Sequence, residues 1–324
     1  MFARAHTFTI DGFQTKRVTV EVDIRAGLPA FAVVGLADAA VREARERVRA
    51  AIRNSGYEFP ARRITANLAP GDVPKAGPAL DLPLACAVLA ASGQLTSRLL
   101  ESHALYGELA LDGGLRASRG TLAVAQATMR AGLKCLLLCA DSASEAQLVE
   151  RLSVAAVSTL RAATRVLSGG AAEPVARARA TSAGAPVSRA HEDELPGGPD
   201  LSDIRGQHHA VRALVIAAAG GHNGLLSGPP GTGKTMLAQR LESILPPLGR
   251  SEAIEVTRIH SLAGHVAGGL IRRRPFRAPH HSITAAGLVG GSRRGPLGEA
   301  VLAHNGVLFL DRLSPQSLDS RHET

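Results

Sequence analysis

The sequence predicts an α/β protein made of two folded regions with a soft connector between them. Three observations carry that reading. Alternation of apolar side chains over 7–10 and 17–24 gives way to a 3.6-residue period over 41–52, so strands and a helix share the first region. Residues 169–199 then hold Gly-Gly-Ala-Ala, Thr-Ser-Ala-Gly-Ala-Pro and Pro-Gly-Gly-Pro among scattered arginines, with little periodicity, which is the composition of a flexible linker. Beyond it, Gly228-Pro229-Pro230-Gly231-Thr232-Gly233-Lys234-Thr235 stands between an apolar triplet and a helical run, the frame of a phosphate-binding loop. Domains are accordingly expected at 1–168 and 200–324, with the linker at 169–199.

In chain order, Thr7–Ile10 and Arg17–Ile24 alternate as strands, and Leu28–Gly35 reads as another. Asp38 is a helix N-cap, with Val41, Ala44, Val48, Ala51 and Ile52 on one face of the helix and Gly56 just past its end. The arginines on the opposite face are expected to be a solvated surface. Arg63–Leu68 is a strand and Leu82–Ser92 an apolar helix. Asp112-Gly113 carries the signal of a hairpin turn. Helix, strand and helix then continue to about Leu167, and no fixed-period repeat is present.

The loop at 228–235 is a complete G-x-x-x-x-G-K-[ST] motif. Its glycines let backbone N–H groups turn inward around phosphate oxygens. Lys234 can reach the β- and γ-phosphates of ATP, and Thr235 can offer its hydroxyl to Mg²⁺. Leu225-Leu226-Ser227 is expected as the short buried strand entering the loop. Met236–Leu241 continues a helix whose positive N-terminal end faces the anion. Gly306-Val-Leu-Phe-Leu-Asp311 is an apolar run closing on an acid, which predicts a buried parallel strand delivering a Walker B aspartate to the magnesium shell. Arg312 follows, and a guanidinium stays protonated and cannot act as a base. The remaining residues are polar and lack an apolar period, so a motor core cut short by truncation or frameshift is expected here.

Composition bounds the class. Of the chain's residues 45% are hydrophobic and 3% aromatic, with no Trp, so its cores must be built from Ala, Leu and Val. No apolar run is long enough to cross a bilayer and the N-terminus lacks a signal peptide's apolar segment, which predicts a cytoplasmic protein. Cys86, Cys135 and Cys139 sit in apolar settings without C-x-x-C spacing, as buried thiols rather than disulfides or zinc ligands. The net charge of +9, nearly all arginine, suits a polyanionic partner and equally a set of solvated basic faces.

Ordered motifs along the chain resemble a known family. They include Gly-Leu-Pro-Ala-Phe-Ala-Val-Val-Gly-Leu-Ala-Asp (27–38), Ile-Thr-Ala-Asn-Leu-Ala-Pro-Gly-Asp-Val-Pro-Lys (64–75) and Asp-Leu-Pro-Leu-Ala (81–85). Leu-Ser-Asp-Ile-Arg-Gly-Gln (201–207), Thr-Arg-Ile-His-Ser-Leu-Ala-Gly (257–264), Arg-Pro-Phe-Arg-Ala-Pro-His-His-Ser (274–282) and Gly-Glu-Ala-Val-Leu-Ala-His-Asn-Gly-Val-Leu-Phe-Leu-Asp (298–311) follow. Together they resemble the Mg-chelatase-like AAA+ ATPases of bacteria known as the YifB or ComM family, up to Asp311.

The resemblance implies a ribosomal-S5-domain-2-like, Lon-protease-like first domain and an incomplete AAA+ αβα core of the helix-2-insert type. Aligned to the Lon pattern, the nucleophile position falls at Ala79 and the lysine position near Leu122, so peptidase chemistry is not expected. ATP and Mg²⁺ are the implied cofactors, and a hexameric ring the implied assembly. The ComM branch implies DNA branch migration in natural transformation; a protein-remodelling or chelatase-type ATPase subunit is the alternative. The departure is Arg312, where the family continues Glu-Leu-Pro-Glu-Phe, so this chain is expected to bind ATP and to be deficient in hydrolysis. Arg272–Arg274 with Arg277, and Arg293-Arg294, are expected as phosphate contacts to DNA, as interface residues or as solvated charge. Adjacent histidines diverge in strand or helix, so His208-His209 and His280-His281 make poor chelates. The resemblance places the second pair in a motif loop near the nucleotide or a subunit interface.

Overall fold

A long hairpin sets the frame of the first part of the molecule. In the computed structural model β1 (Phe2–Asp11) and β2 (Gln14–Arg25) pair antiparallel, in register from Phe2 with Asp23 to Asp11 with Gln14. The structure describes residues 1–173, 199–265, 269–291 and 297–311. Most of the expected linker, the Arg293-Arg294 pair and Arg312 with the residues after it lie outside them. The chain divides into two compact units, one comprising Met1–Arg179 with His260–Leu270, the other Ala180–Ile259 with Ile271–Thr324.

The first unit is a mixed, mostly parallel seven-stranded sheet in the order β3-β4-β2-β1-β5-β8-β9. β3 (Ala30–Val34) lies parallel to β4 (Arg63–Ala69), which pairs antiparallel with β2. On the other side β5 (His103–Tyr106), β8 (Cys135–Cys139) and β9 (Ser153–Val157) run parallel to β1. Between β3 and β4 runs α1 (Ala39–Asn54), capped as expected by the Asp38 carboxylate, which accepts from the Val41 N–H at 2.9 Å. Val41, Ala44, Val48, Ala51 and Ile52 are all buried, so the predicted apolar face is the packed one. α2 (Asp81–Ala91) lies against α1, β1 and β2 and is buried nearly all round, which explains its unbroken apolar sequence. The Asp112-Gly113 turn joins β6 (Glu108–Leu109) to β7 (Leu115–Arg116). α3 (Thr121–Arg130), the short α4 (Ala143–Ala146) and α5 (Leu160–Leu167) complete the unit.

Two ionisable groups are buried in this unit. Asp81 is fully buried and takes two hydrogen bonds from Arg47, 2.7 Å from Nε and 3.0 Å from Nη2. Burial outweighs that pairing and pushes the Asp81 carboxyl up to about 6, while the same pair raises Arg47. Lys75, also fully buried, donates through Nζ to the Pro70 carbonyl, and burial lowers its pKa. Ala79 and Leu122 are both buried. All three cysteines are free and buried, and burial pushes the Cys86 thiol up to about 12.

In the second unit, α6 (His208–Gly220) and α7 (Lys234–Gln239) pack around a small buried cluster of Leu201, Leu214 and Leu237. The chain continues through α8 (Arg250–Ala263), which belongs to this unit up to Ile259, then β10 (Phe276–Arg277), α9 (Ala285–Val289), α10 (Glu299–Leu302) and β11 (Val307–Leu308). β10 and β11 form a parallel pair of two residues each. The strand expected at Leu225–Ser227 does not form: the segment has no ladder partner among the described residues, and Leu225 is 87% exposed. An apolar triplet becomes a strand only where a neighbour takes its N–H and C=O groups. Among the described residues no helix is long and apolar enough to cross a membrane.

Candidate nucleotide site

The loop from Gly228 to Thr235 runs into α7 through Gly233, whose φ of +80° places it in the left-handed region open to glycine. Gly231 shares that conformation at φ +81°. Thr232 braces the turn, its hydroxyl donating to the Pro229 carbonyl at 2.9 Å. Lys234, the first helical residue, folds back over the loop and donates to the carbonyls of Gly228 and Pro229, each at 2.8 Å. Its ammonium therefore rests against the loop's own carbonyls. Gly228 through Thr232 are exposed, so the loop is open to a ligand.

The second half of the site arrives from the far end of the chain. Val307 donates to the Pro275 carbonyl and Phe309 to the Arg277 carbonyl, both at 2.8 Å, so the parallel pairing continues past β11 towards Asp311. Gly306 makes this possible, because a Cβ there would lie 2.0 Å from the Pro275 oxygen. The rings of Phe276 and Phe309 stack across the pair at 6.2 Å. Asp311 then meets Thr235, with Oγ1 3.4 Å from Oδ2, although 76 positions separate them. A hydroxyl and a carboxylate converging next to a phosphate-binding loop are hard oxygen donors, the set that suits Mg²⁺.

One neighbour of the loop, Gln207, was not singled out by sequence reasoning. Gln207, with φ +55° just before α6, donates through Nε2 to the Thr232 carbonyl at 2.7 Å and so holds the loop from outside. Its one signal was the motif ending in Gly-Gln immediately before a helix. Arg277 and Glu299 form a two-point ion pair at 2.6 and 2.8 Å. Arg274 donates to Pro246 and Asn305 carbonyls, both at 2.7 Å, and to Glu252 at 3.0 Å. These two arginines, grouped by sequence with candidate DNA contacts, are thus engaged within the unit, whereas Arg272 and Arg273 are exposed. His208 and His209 begin α6. His280 and His281 stand in the turn after β10 with ring centroids 4.0 Å apart, and His280 shares a hydrogen bond with Ser282 at 2.7 Å. Among the described residues no cluster of three or more His, Cys, Asp or Glu is placed to hold a metal.

Comparison with known proteins covers both units. Residues 200–320 match the family model "Magnesium chelatase, subunit ChlI", and residues 20–142 match "Subunit ChlI of Mg-chelatase". The chain is 46% identical to the YifB protein of Salmonella typhimurium over 312 residues, covering 96% of this chain and 59% of that protein. Against YifB of Escherichia coli it is 47% identical over 309 residues, again 59% of the relative. The chain belongs to the Mg-chelatase-like YifB/ComM family. A competence protein, ComM of Haemophilus influenzae, is 44% identical over 303 residues, covering 93% of this chain and 58% of that relative. This YifB/ComM chain therefore spans about three-fifths of the length of the relatives it matches. The family matches and the loop geometry coincide, since Gly228–Thr235 and Asp311 both fall inside the 200–320 match.

Proposed function

We propose that the second unit binds ATP with Mg²⁺ and hydrolyses it slowly. The observation that carries this reading is the approach of Thr235 to Asp311 beside the Gly228–Thr235 loop. Lys234 neutralises the β- and γ-phosphates, the loop's N–H groups hold their oxygens, and Thr235 and Asp311 hold the metal. Bound Mg²⁺ draws charge from the phosphate oxygens. Arg312 stands where the family has the glutamate that orients the attacking water, and removing a general base costs about a hundredfold or more. The wider reading, a DNA-remodelling hexameric motor of the branch-migration kind, is supported by the competence name of the H. influenzae relative and by the basic charge of this chain. A chelatase-type ATPase subunit is the second reading, supported by the description of the matching family.

Titration with a fluorescent ATP analogue tests the site. Lys234→Ala removes a charge-assisted contact worth about 1.5–3 kcal/mol, so affinity should fall about tenfold or more. Equal binding by the two proteins would sink the assignment. Steady-state phosphate release should be slow in the natural chain and rise in Arg312→Glu; fast release from the natural chain, abolished by Lys234→Ala, would overturn the slow-hydrolysis reading.

A further inference from the structure

The stretch Gly27–Ala37 takes no part in the nucleotide site and runs along one edge of the first unit's sheet. The two edges of that sheet are treated differently. Beside β9, Glu173 donates through its backbone N–H to the Ala156 carbonyl at 3.1 Å and accepts from the Ser158 hydroxyl at 2.8 Å, so the chain covers that edge itself. Among the described residues no strand lies beyond β3. Ala30 donates towards β4, to the Arg62 carbonyl at 3.3 Å, and a parallel ladder engages alternate residues. The N–H and C=O groups of Phe31 and Val33 therefore point out of the sheet. Arg45 reaches the Phe31 carbonyl there, at a long 3.4 Å. Sheet edges are ordinarily blunted by charge, proline or a bulge. Gly27–Ala37 holds no charged residue, and Pro29 comes before the strand. Ala30, Ala32 and Val34 are exposed, flanked by Leu28 and Leu36, which are 88% and 59% exposed.

We propose that β3 pairs antiparallel with β3 of a second copy, joining the two sheets across a two-fold axis at Ala32. With Ala32 opposite its own image, Phe31 of each copy exchanges both backbone hydrogen bonds with Val33 of the other, and the outward groups of the strand are satisfied. Ala30 then meets Val34, and Leu28 comes beside Leu36, so apolar side chains face apolar ones along the ladder. Charge selects this direction. Arg25, Arg62 and Arg63, all exposed, mark the end where β3 begins; Asp38 and the exposed Asp72 mark the end where it leaves, and Lys75 at that end is fully buried. Antiparallel pairing sets the basic end of one copy beside the acidic end of the other. The second copy's Val33 N–H replaces Arg45 at the Phe31 carbonyl. Both copies use the same patch, so the contact closes at two. It uses no residue of the nucleotide site, so it goes beyond the reading above and can fail separately from it.

Cysteine cross-linking of the full chain tests the register. Cα atoms of a directly opposed pair that shares no hydrogen bond lie about 4.5 Å apart, within the span of a disulfide. Ala32→Cys should therefore form a covalent dimer on mild oxidation. Ala30→Cys should not, since strand rise puts residue 30 about 13 Å from its own image. The three natural cysteines are buried, so the natural chain should stay uncross-linked. Velocity sedimentation across a dilution series, without nucleotide, reads the equilibrium. Ala32→Lys sets like charges against each other on the axis and should weaken the dimer about tenfold or more. Arg45→Gln should tighten it, and Lys234→Ala should leave it unchanged. Circular dichroism checks that the variants keep their fold. Should Ala32→Lys misfold, Val33→Pro takes its place and should weaken the dimer likewise, because it removes an outward N–H where an edge strand tolerates proline. A natural chain that stays monomeric at every concentration, equal cross-linking of Ala30→Cys and Ala32→Cys, a weaker dimer in Arg45→Gln, or a dimer indifferent to the folded edge variants would each overturn the pairing.

Discussion

The two units differ most in how much of themselves they bury. In the first, a seven-stranded sheet carries helices whose core includes Val18, Val20, Val22, Leu82, Leu84, Leu105 and Leu137, all nearly inaccessible. In the second, among the described residues, the cluster beside the 228–235 loop is Leu201, Leu214 and Leu237, with Ala253, Val256 and Leu302 buried elsewhere, while Leu225, Val215 and Ile216 are exposed. Stability scales with the apolar area removed from water. The difference teaches that the first unit holds its shape through packing, whereas the candidate nucleotide site rests on a thinner core and on polar braces such as Gln207, Arg274 and the Arg277–Glu299 pair.

The sharpest way to break this comparison is a cavity in each core. Leu137→Ala, in the interior strand β8, should cost about 3–4 kcal/mol, and Leu237→Ala roughly half of that, because a thinner core has fewer neighbours around the cavity and more freedom to collapse into it. Chemical denaturation of each variant measures both; an equal cost would mean the second core is as well packed as the first. Next in size, Asp81→Ala should cost about 3 kcal/mol by leaving Arg47 unpaired in a largely buried place.

The same carboxyl gives a pH signature. Its folded value of about 6 lies above the unfolded value, so the folded state holds the extra proton between the two. Stability of the first unit should therefore be highest below about pH 4 as far as this group is concerned, fall as pH rises to about 6, and level off above. Asp81→Asn should remove that fall, and a urea midpoint series against pH would show whether it does.

Ligand offers a third contrast. Mg-ATP at a hundredfold excess over Kd should stabilise the second unit by about 2.7 kcal/mol, with no gain in Lys234→Ala. A calorimetric scan in which ATP raised the first unit's transition instead would reverse the assignment of the site to the thin unit. The smallest effect is expected at the helix start, where Asp38→Ala should cost about 1 kcal/mol in the first unit; a cost near zero would mean that the Val41 N–H finds another acceptor.

Legibility in the sequence followed the same divide. β2 and α1 could be read because alternation and helical period survive when one face of an element is buried and the other wet, and Asp38 marks the helix start by its chemistry. The loop at 228–235 stood out because its G-x-x-x-x-G-K-T spacing is complete, and Asp311 because an apolar run ends on an acid; the structure brings Thr235 and Asp311 together. Leu225–Ser227 misled, since an apolar triplet reports a capacity for pairing and the pairing depends on a neighbour supplied by tertiary structure. The ties of Arg274 and Arg277 were also hidden: a basic cluster looks the same in sequence whether its partners are phosphates, water, or a glutamate 22 residues away.

Arg274 has a consequence for the order of events when the second unit assembles. One guanidinium gathers Pro246, Glu252 and Asn305, the last 31 positions along the chain. Contacts that close long loops form late, after their ends have been brought together by other means. Replacing Arg274 with lysine keeps the charge and loses the planar fork that serves three acceptors. Such a change should leave the refolding rate nearly untouched and speed unfolding, because ties absent from the transition state act on the way out rather than on the way in. The residue would then act as a latch on the lifetime of the fold that carries the 228–235 loop.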